Sequence, residues 1–219
     1  MKHFVKITPV MLVVAMLLTL VGCGNTQSNN SSNATTSNSS SLNNTTENSD
    51  TNNTSNPKKS LVAYFSWTGN TQQMAEWIAD ESGSDIYSIT PKEEYGTDYE
   101  KCADRAKNEL DNGIRPELDN LMDTEVMAQY DTIYVGFPIW WYDLPMSMTS
   151  FLEQYDLSGK TIIPFFSHNG SSSGASSLET LSEICEGATV LTDNALSILG
   201  DSVQDSESQI REWVNTQNN

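Results

Sequence analysis

Six consecutive residues, Ser66-Trp67-Thr68-Gly69-Asn70-Thr71, offer three hydroxyls, a carboxamide and a glycine that lets the backbone come close to a ligand. An apolar run precedes them and a helical pattern follows. The free N–H groups and positive dipole end of a helix N-terminus therefore point at the same spot. This is the chemistry of a phosphate cradle. It holds no Lys and lacks the Gly-Lys-Ser/Thr ending of a nucleotide-hydrolysing loop, which suits a phosphate held rather than transferred. A plain Ser/Thr-rich helix cap is the competing reading, and the flanking strand and helix weigh against it.

A second loop, Gly136 to Pro145, carries Pro138, Ile139, Trp140, Trp141 and Tyr142 in a row. Three consecutive aromatics between prolines cannot all enter a core from one loop, so some are free to stack on a flat aromatic ligand. Core packing or a partner surface is as good a reading of this loop alone; beside a phosphate cradle, ring stacking is the better one. A third loop, Ser167-His168-Asn169-Gly170-Ser171, adds small residues, backbone N–H groups and one His, enough to hydrogen-bond the polar edge of a heterocycle. It also hides a decoy, because Gly170 to Gly174 reads Gly-x-Ser-x-Gly. The only His beyond the N-terminal segment is His168, four residues before Ser172 on the same loop, so no Ser-His pair of catalytic geometry is expected.

The elements that must place these loops follow from periodicity. Apolar runs at Leu61–Phe65, Ile86–Ile89, Thr132–Phe137 and Thr161–Phe166 read as strands, with a fifth over Ala188–Leu199 interrupted near Asp193-Asn194. Helices are expected after Asn70 or Thr71, from Asp98 to Leu110, around Pro145–Tyr155, over Ser176–Cys185 and after Ser206. The second has Tyr99, Cys102, Ala103, Ala106 and Leu110 inward and Gly113 as its stop; the last turns Ile210, Trp213 and Val214 inward. Alternating strands and helices argue an α/β, doubly wound, five-stranded parallel sheet with helices on both faces, its ligand loops at the carboxyl ends of the strands. Pro164 objects locally, since it falls in a buried strand; a bulge or an unpaired position is expected there. Cys102 and Cys185, on inward stripes, read as buried thiols rather than a disulfide.

Taken in order, these three loops resemble those of the flavodoxin family, in the branch of small bacterial flavodoxin-like proteins with a Pro-Ile-Trp-Trp loop, over roughly residues 60–200. The resemblance implies strand order 2-1-3-4-5 and noncovalently bound FMN. The phosphate would lie on Ser66, Trp67, Thr68, Gly69, Asn70 and Thr71. The ring would lie between Pro138–Tyr142 and Ser167–Ser171, with His168 or nearby N–H groups tuning it. A Pro in the fourth strand is also usual in that branch. Two features depart from its pattern: the third loop usually reads Thr-His-Gly-Gly or similar where this chain has Ser167-His168-Asn169-Gly170, and Leu199 stands where an Arg is frequent.

The remaining chain is an address and a tether. Lys2, His3 and Lys6 precede an apolar run from Val10 to Val21, and Leu20-Val21-Gly22-Cys23 resembles a bacterial lipobox, implying a signal peptide over 1–22 and lipidation of Cys23. Of residues 24–56, 27 of 33 are Asn, Ser or Thr, too polar to offset ordering entropy, so 23–59 is expected to be a disordered linker with a reach of roughly 30 Å. The folded part is expected over 60–219. It carries 27 acidic against 7 basic side chains, which disfavours nucleic acid and polybasic lipid binding. With two His and three Cys, a His- or Cys-rich metal site is not expected. The expected function is electron transfer by a flavoprotein anchored on the extracytoplasmic face of a bacterial membrane, with a basic redox partner protein or a quinone. An FMN-dependent quinone or flavin reductase and a cofactor-less surface binding protein are the alternatives.

Overall fold

The computed structural model describes residues 59–217. The signal peptide, Cys23 and the tether up to residue 58 lie outside them. In chain order the elements are β1 (Ser60–Tyr64), α1 (Asn70–Ser82), β2 (Asp85–Ser88), α2 (Tyr99–Asn112), α3 (Thr124–Met127), β3 (Thr132–Pro138), α4 (Met146–Leu152), β4 (Thr161–His168), α5 (Ala175–Ile184), β5 (Thr189–Val190), β6 (Leu196–Leu199) and α6 (Glu207–Gln217). All strand pairs are parallel, in the order β2-β1-β3-β4-β5, with β6 also paired to β4. The fifth strand thus exists in two pieces, parted by a 3₁₀ turn at Thr192–Asn194 where the interruption was expected.

Side chains alternate across the sheet and fill two cores. Leu61, Ala63, Ile133, Val135 and Phe137 face one, with Met148, Phe151 and Leu181 packed on them. Val62, Tyr64, Tyr134 and Phe165 face the other, against Met74 and Ile78 of α1 and Ile210 and Val214 of α6. Trp213 is only partly buried there.

Pro164 finds the unpaired position its chemistry requires. The Ile162 carbonyl accepts from Leu191 N–H at 2.9 Å, so even-numbered residues of β4 turn their polar groups toward β5 and β6. β5 pairs with Thr161 and Ile162, and β6 with Phe165 to His168. The missing N–H of Pro164 therefore falls in the gap between them, and its other edge stays in register with Val135.

Four details differ from the periodic reading. Tyr99 is 63% exposed, and Glu109 rather than Leu110 is the buried residue at the end of α2. That swap needs partners for the carboxylate, which are described below. Ile86 is exposed on the edge strand β2. The short α3 went unread because four residues carry too little period.

Candidate active site

The three loops meet at the carboxyl ends of β1, β3 and β4. Ile139 N–H donates to the Ser167 carbonyl at 2.9 Å, and the Thr71 and Ser167 hydroxyls lie 3.0 Å apart in a buried contact. Trp67 and Trp140 meet edge-on at 6.3 Å. These contacts tie each loop to another before any ligand is considered.

The first loop ends in Gly69, whose φ of 93° suits glycine and which offers α1 no side-chain cap. No acidic residue stands in the first turn. Ser66 Oγ accepts from Gly69 N–H at 3.2 Å, which curls the loop. The first N–H groups of α1 thus keep their hydrogen-bonding capacity and the dipole's positive end stays uncompensated, as an anion site needs. Gly200, after β6, closes the cradle from the far side: a Cβ there would come within 2.9 Å of Asn70 Nδ2.

The second loop turns back on itself at Trp140–Asp143, whose backbones exchange hydrogen bonds at 3.0 and 2.9 Å. Its two central residues, Trp141 and Tyr142, have φ of 50° and 68°, the positive angles of a type I′ turn occupied by side chains that rarely adopt them. The turn is held from both sides. Trp141 Nε1 donates to the Ala103 carbonyl at 2.9 Å, and Thr180 Oγ1 donates to Asp143 Oδ2 at 3.1 Å. Trp140 turns inward against Phe65 and Tyr95, while Trp141 and Tyr142 are 45% and 58% exposed.

In the third loop, His168 Nδ1 accepts from Gly170 N–H at 2.9 Å, so the neutral ring carries its proton on Nε2. Ser172 Oγ accepts from Gly174 N–H, a turn contact rather than a nucleophile's.

Between these loops and α2 lies a cavity of about 290 Å³, close to the small end of ligand pockets at about 300 Å³. Trp67, Thr68, Asn70, Pro138, Ile139, Trp140, Trp141, Tyr142, Ser167, His168, Asn169 and Ser171 all line it. Ser66, Gly69, Thr71 and Gly170 do not. They shape the loops, and the Thr71 hydroxyl is spent on Ser167. The wall made by Tyr99, Cys102, Ala103 and Ala106 went unforeseen, as did Ser172 and Gly200. A helical stripe read as core-facing cannot by its period be told from one facing a cavity. Two indoles fasten that wall: Trp67 Nε1 donates to the Gly96 carbonyl at 2.6 Å, as Trp141 does to Ala103. Burial pushes the Cys102 thiol up to about 11 and the Cys185 thiol up to about 12; both are free and buried.

This donor set suits a phosphate joined to a flat ring. Uncharged Thr68 and Asn70 line the cavity together with Trp67, Trp140 and Trp141. Among the described residues, no group of three or more His, Cys, Asp or Glu could hold a metal ion.

The chain is also similar to known proteins. A family profile described as Flavodoxin matches residues 59–217. A candidate flavoprotein from Bacteroides uniformis is similar at 33% identity and TM-score 0.62, over 72% of this chain and 98% of that one. A second, from Bacteroides eggerthii, gives 29% and 0.60 over 73% and 98%. A flavoprotein of Lactobacillus acidophilus, solved in complex with FMN, gives 26% and 0.53 over 69% and 99%. Comparison with curated proteins yields no match. Sheet order, loop placement and the profile over residues 59–217 agree: the chain belongs to the flavodoxin family.

Proposed function

We propose that this protein binds FMN and transfers electrons outside the cytoplasmic membrane, tethered there by lipid on Cys23. The observation that carries the reading is one cavity lined both by Thr68 and Asn70, beside an uncapped helix N-terminus, and by Trp140 and Trp141. Bound there, FMN supplies one- and two-electron chemistry, and the protein's part is to hold the ring and tune it.

Thr68 and Asn70 give side-chain donors to the phosphate, and the loop from Ser66 to Thr71 gives backbone N–H groups other than that of Gly69, which Ser66 Oγ accepts. Trp140, Trp141 and Tyr142 cover the ring, and the loop from Ser167 to Ser171 faces its polar edge. His168 acts as a donor through Nε2–H, because its Nδ1 is occupied by Gly170. The excess of 27 acidic over 7 basic side chains in residues 60–219 opposes negative charge arriving on the ring by reduction and lowers the potential. The same field favours a basic partner protein or an uncharged quinone over an anionic nicotinamide donor.

A visible spectrum of the purified full chain, before and after FMN is added, tests this reading. Flavin bands retained through desalting support it, and colourless protein that ignores FMN overturns it in favour of a binding module. Steady NAD(P)H oxidation with added quinone would move the role from carrier to reductase. Loss of membrane association in Cys23→Ser tests the anchor; unchanged association removes it.

A further inference from the structure

Glu109 lies on α2 at 5% exposure, and a carboxylate is rarely so buried without partners. Its Oε1 accepts from Arg105 Nε at 2.7 Å and its Oε2 from the Tyr95 hydroxyl at 2.6 Å. That hydroxyl is also 2.9 Å from Ser147 Oγ at the start of α4. Arg105 Nη1 donates to the Glu93 and Glu94 carbonyls at 2.9 and 3.0 Å, and its guanidinium stands 4.1 Å over the Tyr95 ring. Trp140 meets Tyr95 nearly perpendicular, centroids 4.8 Å apart.

None of Tyr95, Arg105, Glu109 or Ser147 lines the cavity, but Trp140 does. A buried ion pair is weak evidence of stability, because apolar side chains of similar volume often do as well. Its stronger use is to select one arrangement. An indole packed only on apolar groups can slide and tip, whereas the Tyr95 ring against which Trp140 packs is held through its hydroxyl by Glu109 and Ser147 and over its face by Arg105. The phenol remains a donor throughout the physiological range, because burial and the adjacent Glu109 carboxylate raise its pKa.

We infer that Glu109, acting through Tyr95, is a positioning residue of the ring site: the Arg105–Glu109–Tyr95–Ser147 brace fixes the plane of Trp140, against which the ligand's flat ring packs. The inference rests on the flavin reading above and adds a buried device outside the loops that touch ligand. It also gives α2, in the connection between β2 and β3, a role in the site beyond forming one of its walls.

The test uses the full chain as wild type, Tyr95→Phe, Glu109→Gln and Ser147→Ala, each also combined with Trp140→Leu. Near-ultraviolet circular dichroism without ligand reads the indole's surroundings. Fluorescence titrations with FMN and with riboflavin, which lacks the phosphate, read the ring site. Tyr95→Phe and Glu109→Gln are expected to change the tryptophan dichroism with unchanged far-ultraviolet signal. Both should weaken FMN and riboflavin by the same factor, about tenfold, and this loss should vanish in the Trp140→Leu background. Ser147→Ala, which leaves the ion pair intact, should show the same pattern at smaller size and serves if the others fold poorly. Unchanged affinities in variants of lowered melting temperature would overturn the brace, as would losses that simply add to that of Trp140→Leu. Wild type that binds neither flavin overturns the cofactor reading itself and this role with it.

Discussion

Thr68 and Asn70 are the side chains of the first loop, besides Trp67, that reach the cavity, while Ser66 and Thr71 spend their hydroxyls on the loops themselves. Hydrogen bonds to a charged group are worth about 1.5–3 kcal/mol each. Thr68→Val and Asn70→Ala should therefore each weaken FMN by roughly 10- to 100-fold and leave riboflavin nearly unaffected. His168→Ala should shift the FMN reduction potential, and an unchanged potential removes His168 from ring tuning. Gly136 serves packing rather than the ligand: a Cβ there would lie 2.1 Å from Phe165 Cζ. Gly136→Ala should cost about 1–3 kcal/mol in urea unfolding; a loss below about 0.5 kcal/mol would show that Phe165 yields easily. At this scale the sequence was legible where residue type implied a job. Hydroxyl, amide and glycine together suggest phosphate donors, and of these side chains Thr68 and Asn70 reach the cavity. Which hydroxyl faces ligand and which faces Ser167 depends on loop closure, which no local pattern encodes.

The elements show where local preference and tertiary demand part company. Trp141 and Tyr142 fill a turn that Asn-Gly would form without strain. Residues held so cost on the order of 1 kcal/mol each and persist where the surroundings over-determine them. Tyr142 is mostly exposed, so Tyr142→Gly loses little packing and should stabilise the fold by about 1 kcal/mol, read as a raised urea midpoint. Weaker flavin binding should accompany it, since a cavity-lining side chain proposed to cover the ring is gone. A lowered midpoint would mean that the Tyr142 ring carries packing its exposure hides. Strands and most helices followed from periodicity, down to the interruption of the last strand; that this interruption lies beside Pro164 shows only in the sheet register. The role of α2 did not, because Cys102 and Ala106 are as apolar facing a cavity as facing a core. Glu109 reads as a surface acid until Tyr95, 14 residues earlier, and Ser147, on another helix, are brought to it.

Across the whole molecule the dominant quantity is charge. On the proposed function, a ligand phosphate approaches a domain with 27 acidic and 7 basic side chains, and the loop proposed to hold it contains no cation. Raising ionic strength from about 0.01 to 0.5 M shortens the screening length from about 30 Å to a few ångströms. FMN affinity should therefore rise with salt, the reverse of what a Lys- or Arg-built site gives. Acid pulls stability two ways. Early protonation relieves self-repulsion. Deeper acid removes carboxylates held below their usual range, Asp85 by Lys59 and Tyr130, Glu153 by Arg115. A depressed folded-state pKa contributes stability above the unfolded value of about 4 and loses it as pH falls through the folded one. Melting temperature should therefore peak below pH 7 and fall steeply below about pH 4, and a flat profile from 7 to 3 would contradict both effects. The most direct test of the account is a parallel equilibrium titration of the full chain and its Thr68→Val/Asn70→Ala variant with FMN and riboflavin. The account predicts that wild type prefers FMN to riboflavin by at least tenfold and that the variant loses this preference while still taking up the ring. Equal retention of FMN by both chains, or no uptake by either, would contradict it.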